Sequence, residues 1–350
     1  MKKVNDLLRS HLRDFLPYST ARDEFKGKEG VFLDANENSL GSVHQRPWNR
    51  YPDPRQHKLK VELGIIKGIQ PGQIFIGNGS DEPIDLLIRA FCEPGIDQIM
   101  IVPPTYGMYK VSANLNNVGV IEVLLTEDFQ LDVPKIVAAL NERVKIIFIC
   151  SPNNPTGNLM VREDIFVILN HFHGLVVIDE AYIDFSGANS WINDLTMFPK
   201  LVVLQTLSKA WGLAALRLGM LFASLEMVKV MNLIKPPYNI SGLVQNEALA
   251  ALAKIELKDR FVQQINVLKQ SLERSLRSFA LTIEIYPSDA NFLLVKFKKS
   301  AEIFHYLISQ NIILRDRSQL VLCQGCVRIT VGTEDENKQL MAALNNYLKG

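Results

Sequence analysis

The sequence predicts an α/β protein: a large domain on a mostly parallel seven-stranded sheet, followed by a smaller α+β domain. Three observations carry this. Apolar runs of strand length alternate with amphipathic stretches from residue 74 to about residue 224. Those runs are almost continuously hydrophobic, as strands covered by helices on both faces must be. The composition then changes at Lys235-Pro236-Pro237-Tyr238, and longer helical patterns with separate strand-like runs follow.

Taken in order, the seven strands are expected at residues 74–76, 98–102, 119–125, 145–150, 175–179, 201–205 and 216–223. A helix is expected over residues 84–91, opened by the turn Gly77-Asn78-Gly79-Ser80-Asp81-Glu82. Beyond the composition change, a long helix is expected at about 244–279, strands at 281–286 and 292–297, and a helix near 301–309. Strands near 312–314 and 327–331 and a last helix at 334–348 complete the chain. The polar segments that can do chemistry fall just after strand C-terminal ends, where open α/β sheets hold their ligands.

Composition narrows the function. The 350 residues are 47% hydrophobic and 21% charged, the profile of a globular enzyme with a large core. A net charge of +1 without a long basic run argues against nucleic acid as a partner. No run approaches the ~18 apolar residues of a membrane span. The first residues carry Lys2, Lys3, Asp6 and Arg9 and no apolar core of signal-peptide length, so a cytoplasmic protein is expected. The cysteines are Cys92, Cys150, Cys323 and Cys326. Cys323 and Cys326 form a C-x-x-C, but no second ligand pair for zinc is apparent. They precede a strand rather than open a helix, unlike a thioredoxin-type centre. Two small residues in a loop are the expected reading, and no metal is expected.

The segment from Thr206 to Gly219 holds two hydroxyls, Thr206 and Ser208, with Lys209 and Arg217 just beyond an apolar strand. The hydroxyls can donate to phosphate oxygens, and Arg217 can grip the same group with its planar fork. Lys209 is then placed to form a Schiff base with an aldehyde on the same ligand. Pyridoxal 5'-phosphate (PLP) carries both groups. A polar loop after a strand is the alternative, and three further segments weigh against it. Cys150-Ser151-Pro152-Asn153-Asn154-Pro155-Thr156-Gly157 follows one apolar run, and Asp179 ends another. A carboxylate there needs a partner, which the ring nitrogen of PLP would supply; the alternative is a helix cap. Gly79, Ser80 and Asp81 open a helix whose free N–H groups suit an anion. A dinucleotide fingerprint would need a third glycine where Glu82 stands.

With these segments in view, the chain resembles the fold-type I PLP enzymes of the aspartate aminotransferase superfamily. Within them it resembles the histidinol-phosphate aminotransferases, of the class II subfamily. The narrower likeness rests on Leu33-Asp34-Ala35-Asn36-Glu37-Asn38, Tyr51-Pro52-Asp53, residues 82–95, Pro103-Pro104-Thr105-Tyr106-Gly107-Met108-Tyr109, Ile312-Ile313-Leu314-Arg315-Asp316 and Val327-Arg328-Ile329-Thr330-Val331-Gly332. It runs from about Pro17 to the C-terminus. One departure is Ser39, which stands where the family has proline.

The resemblance implies an N-terminal segment at residues 1–30 packed with a small domain at 241–350, and a large PLP-binding domain at 31–240. It implies a homodimer in which Tyr51 reaches the cofactor phosphate of the neighbouring subunit. It implies Lys209, Asp179 and Tyr182 as catalytic residues. Tyr106 would stack on the cofactor ring, and Tyr182 and Asn154 would contact its phenolic oxygen; Asn153 does not match. Arg315 and Arg328 would bind the substrate phosphate, with Asn154 and Tyr106 beside it and Tyr18 closing over it. Two surface salt bridges are the alternative for the arginines, and a core position is the alternative for Tyr106. The implied reaction is transamination between L-histidinol phosphate and 2-oxoglutarate, giving imidazole-acetol phosphate and L-glutamate, in L-histidine biosynthesis. A threonine-phosphate decarboxylase-like lyase and an aromatic or broad-specificity aminotransferase share nearly all these motifs. A PLP-sensing regulator would need a DNA-binding head, for which this chain has no room.

Overall fold

The computed structural model describes residues 4–16 and 30–349. Seven strands form one sheet: β1 (Ile74–Asn78), β2 (Gln98–Ile101), β3 (Gly119–Glu122), β4 (Val144–Cys150), β5 (Leu175–Asp179), β6 (Leu201–Thr206) and β7 (Leu218–Phe222). Each falls on an expected run. Their order is β1-β7-β6-β5-β4-β2-β3. The ladders from β3 through β6 are parallel, and β7 alone is reversed, between β1 and β6.

The continuous hydrophobicity of the strands has a structural cause. Alternate residues of a strand point to opposite faces, and here both faces are covered. Ile147 and Ile149 of β4 join one core, while Ile146, Phe148 and Cys150 join the other. The helix Asp81–Phe91 covers the second face, with Ile84, Leu87, Ile88 and Phe91 buried along one stripe.

A second, antiparallel sheet follows, in the order β10-β11-β9-β8: β8 (Thr282–Ile285), β9 (Phe292–Phe297), β10 (Arg315–Asp316) and β11 (Cys326–Thr330). Its inward residues, Leu293, Val295, Phe297, Val327 and Ile329, pack with Leu272, Leu276, Ile303, Leu307, Leu340 and Leu344 of three helices. The last of these helices, Glu334–Tyr347, starts with Thr333 and Glu336 bonding each other's backbone N–H groups.

Four expectations need correction. The long helix is two, Gly242–Leu252 and Ile255–Arg277, because Lys254 leaves helical geometry at φ −112° and ψ 36°. The break lets the first pack on helix His57–Lys67 and the second on β8 and the last helix. Strand β7 begins at Leu218, since Arg217 is left-handed (φ 51°) and lends its carbonyl to Gly79 N–H at 2.8 Å. The strand near 312–314 forms instead at Arg315–Asp316, and Ile312 and Leu314 pack on the small-sheet core. The described start of the N-terminal segment does not pack with the small sheet. Val4, Leu8 and Leu12 enter the core beneath the large sheet, and Arg9 pairs with Glu93 at 3.3 Å.

Candidate active site

Strands β1, β4, β5 and β6 run the same way and end at Asn78, Cys150, Asp179 and Thr206. Beyond that edge lies a cavity of about 650 Å³. Its wall brings together Ser80, Asp81, Tyr106, Asn154, Asp179, Tyr182, Thr206, Ser208, Lys209 and Arg217, with Arg315 and Arg328 from the second sheet. Fifteen residues were expected at the site. Twelve of them line this one cavity, Gly79 lies directly behind Arg217, Tyr51 lies elsewhere, and Tyr18 is outside the described residues.

One end of the cavity is built for an anion. Gly79 adopts φ +67°, and a Cβ there would stand 2.6 Å from Arg217 Nη2. A side chain at 79 would therefore displace the guanidinium. Gly219 matters equally, since a Cβ on it would come 2.2 Å from the Gly79 carbonyl carbon. No side chain caps the first turn of helix Asp81–Phe91, which leaves its N–H groups for a ligand. Arg217 Nη2 lies 3.6 Å from Asp81 Oδ2, and Tyr106 Oη donates to Asp81 Oδ1 at 3.0 Å. Thr206 Oγ1 accepts the Ser208 N–H at 3.0 Å and lies 3.0 Å from Ser208 Oγ and 3.2 Å from the Leu218 carbonyl. Its hydroxyl is therefore engaged within the turn and orients Ser208.

The other end holds a buried acid. Asp179 is 2% exposed. Tyr109 Oη donates to its Oδ2 at 2.7 Å and Ala181 N–H to its Oδ1 at 3.0 Å. Burial, above all, raises its pKa, against the lowering by these two donors. Among the described residues no ion pair reaches it, so a cation inside the cavity is the partner its charge lacks. Lys209 lies between the two ends. Burial first, then Arg328, holds its ammonium below the ordinary lysine value. Its Nζ sits 5.5 Å from the centre of the Tyr182 ring. An anion cradle, an amine of lowered pKa and a buried carboxylate in one cavity fit PLP.

Asn154 accepts a short hydrogen bond from Arg328 Nη1, whose guanidinium lies 5.3 Å over the Phe292 ring. Asn153 is structural: it donates to the Pro104 carbonyl and to Thr156 Oγ1, each at 2.8 Å, and is fully buried. Tyr106 meets Tyr109 edge-on at 5.5 Å, with its ring on the cavity wall. Arg315 stands opposite Arg328 in the β10–β11 ladder, so both project on one face. Tyr51 is half exposed and stacks on Tyr238 at 4.5 Å, outside its own chain's cavity. Its N–H donates to Glu37 Oε1 at 2.6 Å, and Glu37 also pairs with Arg50.

Sequence reasoning missed two residues that bear on the site. Tyr109, fully buried, acts on the site through Asp179; no spacing in the sequence links positions 70 residues apart. Arg317 lines the cavity two residues beyond Arg315, and strand alternation carried one step further would have flagged it. The four cysteines are free and buried; Cys323 and Cys326 pack in the core, with burial raising their thiols to about 12 and about 11. Among the described residues no group of three or more His, Cys, Asp or Glu could hold a metal, and no helix is long and apolar enough to cross a membrane.

A mostly parallel sheet with this cavity at its strand ends defines a PLP-dependent aminotransferase of fold type I. The chain matches the family of class I and II aminotransferases over residues 26–344 and belongs to it. It is 54% identical over 344 residues to a histidinol-phosphate aminotransferase of Cytophaga hutchinsonii, covering 98% of this chain and 99% of that one. It is 49% identical over 346 residues to a protein of the same name from Parabacteroides distasonis, covering 99% of each. Among solved structures, the histidinol-phosphate aminotransferase of Sinorhizobium meliloti in complex with PLP superposes with a TM-score of 0.79 at 24% identity, over 90% of each chain, a likeness of fold.

Proposed function

We propose that this protein transfers an amino group between L-histidinol phosphate and 2-oxoglutarate, forming imidazole-acetol phosphate and L-glutamate, a step of L-histidine biosynthesis. The observation that carries the substrate reading is the pairing of Arg315 with Arg328 in one ladder register at the cavity wall. Like charges directly opposite destabilise a ribbon, and among the described residues no carboxylate pairs with either. An anionic substrate group between them removes the repulsion. A phosphomonoester, with nearly two charges at neutral pH, does so most completely.

PLP, when bound, supplies an aldehyde that takes up an amine and a ring that draws electrons from the amine-bearing carbon. The chain's own groups do the rest. Ser208, Arg217 and the N–H groups opening helix Asp81–Phe91 would hold its phosphate. Asp179 would keep the ring nitrogen protonated, and Tyr182 and Asn154 would bond the phenolic oxygen. Tyr106 would lie against the ring. Lys209, its pKa already lowered, is the group able to take a proton from the substrate carbon and return it. Arg315 and Arg328 would fix the far end of the substrate, with Asn154 orienting Arg328.

The deciding assay is ketoacid-dependent consumption of histidinol phosphate against threonine phosphate and phenylalanine. Histidinol phosphate is expected to be far the best substrate. Carbon dioxide release from threonine phosphate would favour the lyase, and equal use of phenylalanine the aromatic aminotransferase.

We take the enzyme as cytoplasmic, and its domains as residues 31–240 and 241–350, the second carrying Arg315 and Arg328. We also take the working unit as a homodimer, in which Tyr51, turned away from its own cavity, serves the neighbour's phosphate site. Tyr51→Ala and Lys209→Ala subunits, each impaired alone, are then expected to regain activity when mixed, because one site of the heterodimer is complete. A verified heterodimer that stays inactive would mean that Tyr51 serves its own subunit or none.

A further inference from the structure

We infer that Arg317 is a third phosphate-binding arginine, which sets the preference of the site for a phosphomonoester over a carboxylate; this rests on the substrate proposed above. The backbone N–H of Arg317 donates to the Cys326 carbonyl at 3.0 Å, which extends the β10–β11 ladder by one residue. Residues two apart on a strand share a face, so Arg317 lies on the face of Arg315, and Arg315 is opposite Arg328. All three line the cavity.

Arg317 Nε is buried with no hydrogen-bond partner among the described residues. A buried charged donor left unbonded is costly, and the charges that act on it most strongly are those of Arg328 and Arg315. Burial and these two neighbours lower its pKa to about 10. The fold thus holds a third cation beside two others with a donor to spare, and what completes it must be an anion entering the cavity. The shape of the anion matters. A carboxylate has two oxygens and one charge, which one planar fork can saturate. A phosphomonoester has three terminal oxygens and close to two charges. Glutamate, the amino-acid partner of the reaction, carries two such carboxylates, one for each of Arg315 and Arg328, so it leaves the third arginine unused, and the phosphorylated partner engages it.

The test compares the two half-reactions of the cofactor-loaded protein in Arg317→Gln, followed by cofactor absorbance. The expected loss in kcat/KM is about 10- to 100-fold with histidinol phosphate, the worth of one charge-assisted hydrogen bond, and under about threefold with glutamate. Inorganic phosphate, titrated against the loaded protein and read as a rise in Tm, gives a readout independent of turnover. Its apparent Kd should weaken by a similar factor. Arg317→Lys should recover part of both effects, since it restores the charge without the fork; should Arg317→Gln fail to fold, the lysine variant alone must still lose histidinol phosphate selectively. Equal losses with both amines, or none with either and unchanged phosphate binding, would overturn the inference. If the native protein does not turn over histidinol phosphate, the proposed function fails instead, and the phosphate titration alone decides the role of Arg317.

Discussion

Lys209→Ala is expected to lower turnover by at least about 10⁴-fold, the upper end for a lost acid–base group, because the covalent anchor is lost with it. Borohydride reduction followed by peptide mapping should place the pyridoxyl group on Lys209 in the native protein and nowhere in the variant. The variant should still hold PLP without a covalent link, since Ser208, Arg217 and the Gly79 turn are untouched. The pH dependence is set by the surroundings of the lysine. Burial and Arg328 lower its pKa, so the neutral, reactive amine persists to lower pH than in an ordinary lysine. Covalent loading of the cofactor-free protein should therefore rise with pH to a midpoint below the ordinary value of 10.5. Arg328→Gln removes the largest cationic contribution, so its midpoint should move up. A pyridoxyl group on another lysine would sink the assignment, and an unmoved midpoint would sink its electrostatic cause.

The large sheet was legible because its central strands are buried on both faces, and such strands are apolar almost throughout. Leu175–Asp179 and Leu201–Thr206 are the clearest, with no exposed residue in either. Strand ends were less legible, because they depend on partners. Val123 and Leu125 still donate to the Ile101 and Pro103 carbonyls, yet the regular strand stops at Glu122. The break at Lys254 carries no glycine or proline to announce it; it is fixed by what each helix packs on. The site was legible where a strand end places a side chain directly, as with Asp179, Thr206 and Lys209. It was illegible where one side chain acts through another. Tyr109 occupies the same short helix as an expected core residue would, and only the folded sheet brings its hydroxyl to Asp179. The packing of Val4, Leu8 and Leu12 under the large sheet was hidden for the same reason: an apolar stripe does not say which core it enters.

Asp179→Asn should keep the fold and lower kcat by about two orders of magnitude or more, the loss that breaking a buried charge pair of about 3–5 kcal/mol implies. The reason lies in the balance of charge. Asp179 is fully buried, receives two hydrogen bonds and forms no ion pair among the described residues. A protonated ring nitrogen supplies that cation, and the carboxylate in turn keeps it protonated; an amide of the same shape fills the space but cannot balance the charge. The asparagine variant should therefore hold its bound cofactor with the ring nitrogen losing its proton at lower pH than in the native protein, visible in the absorbance titration. Tyr109→Phe tests the same balance from the other side. Its hydroxyl stabilises the charged form of Asp179 and so lowers the pKa of that carboxyl. Without it that pKa rises, and the carboxylate is neutralised at a higher pH as the solution is acidified. The acid limb of the kcat profile should shift upward, with a loss of about 10- to 100-fold at neutral pH, the worth of one hydrogen bond to a charged group. If both variants turn over at the native rate with an unshifted pH profile, Asp179 does not hold the ring nitrogen and the acid end of this cavity serves only the fold.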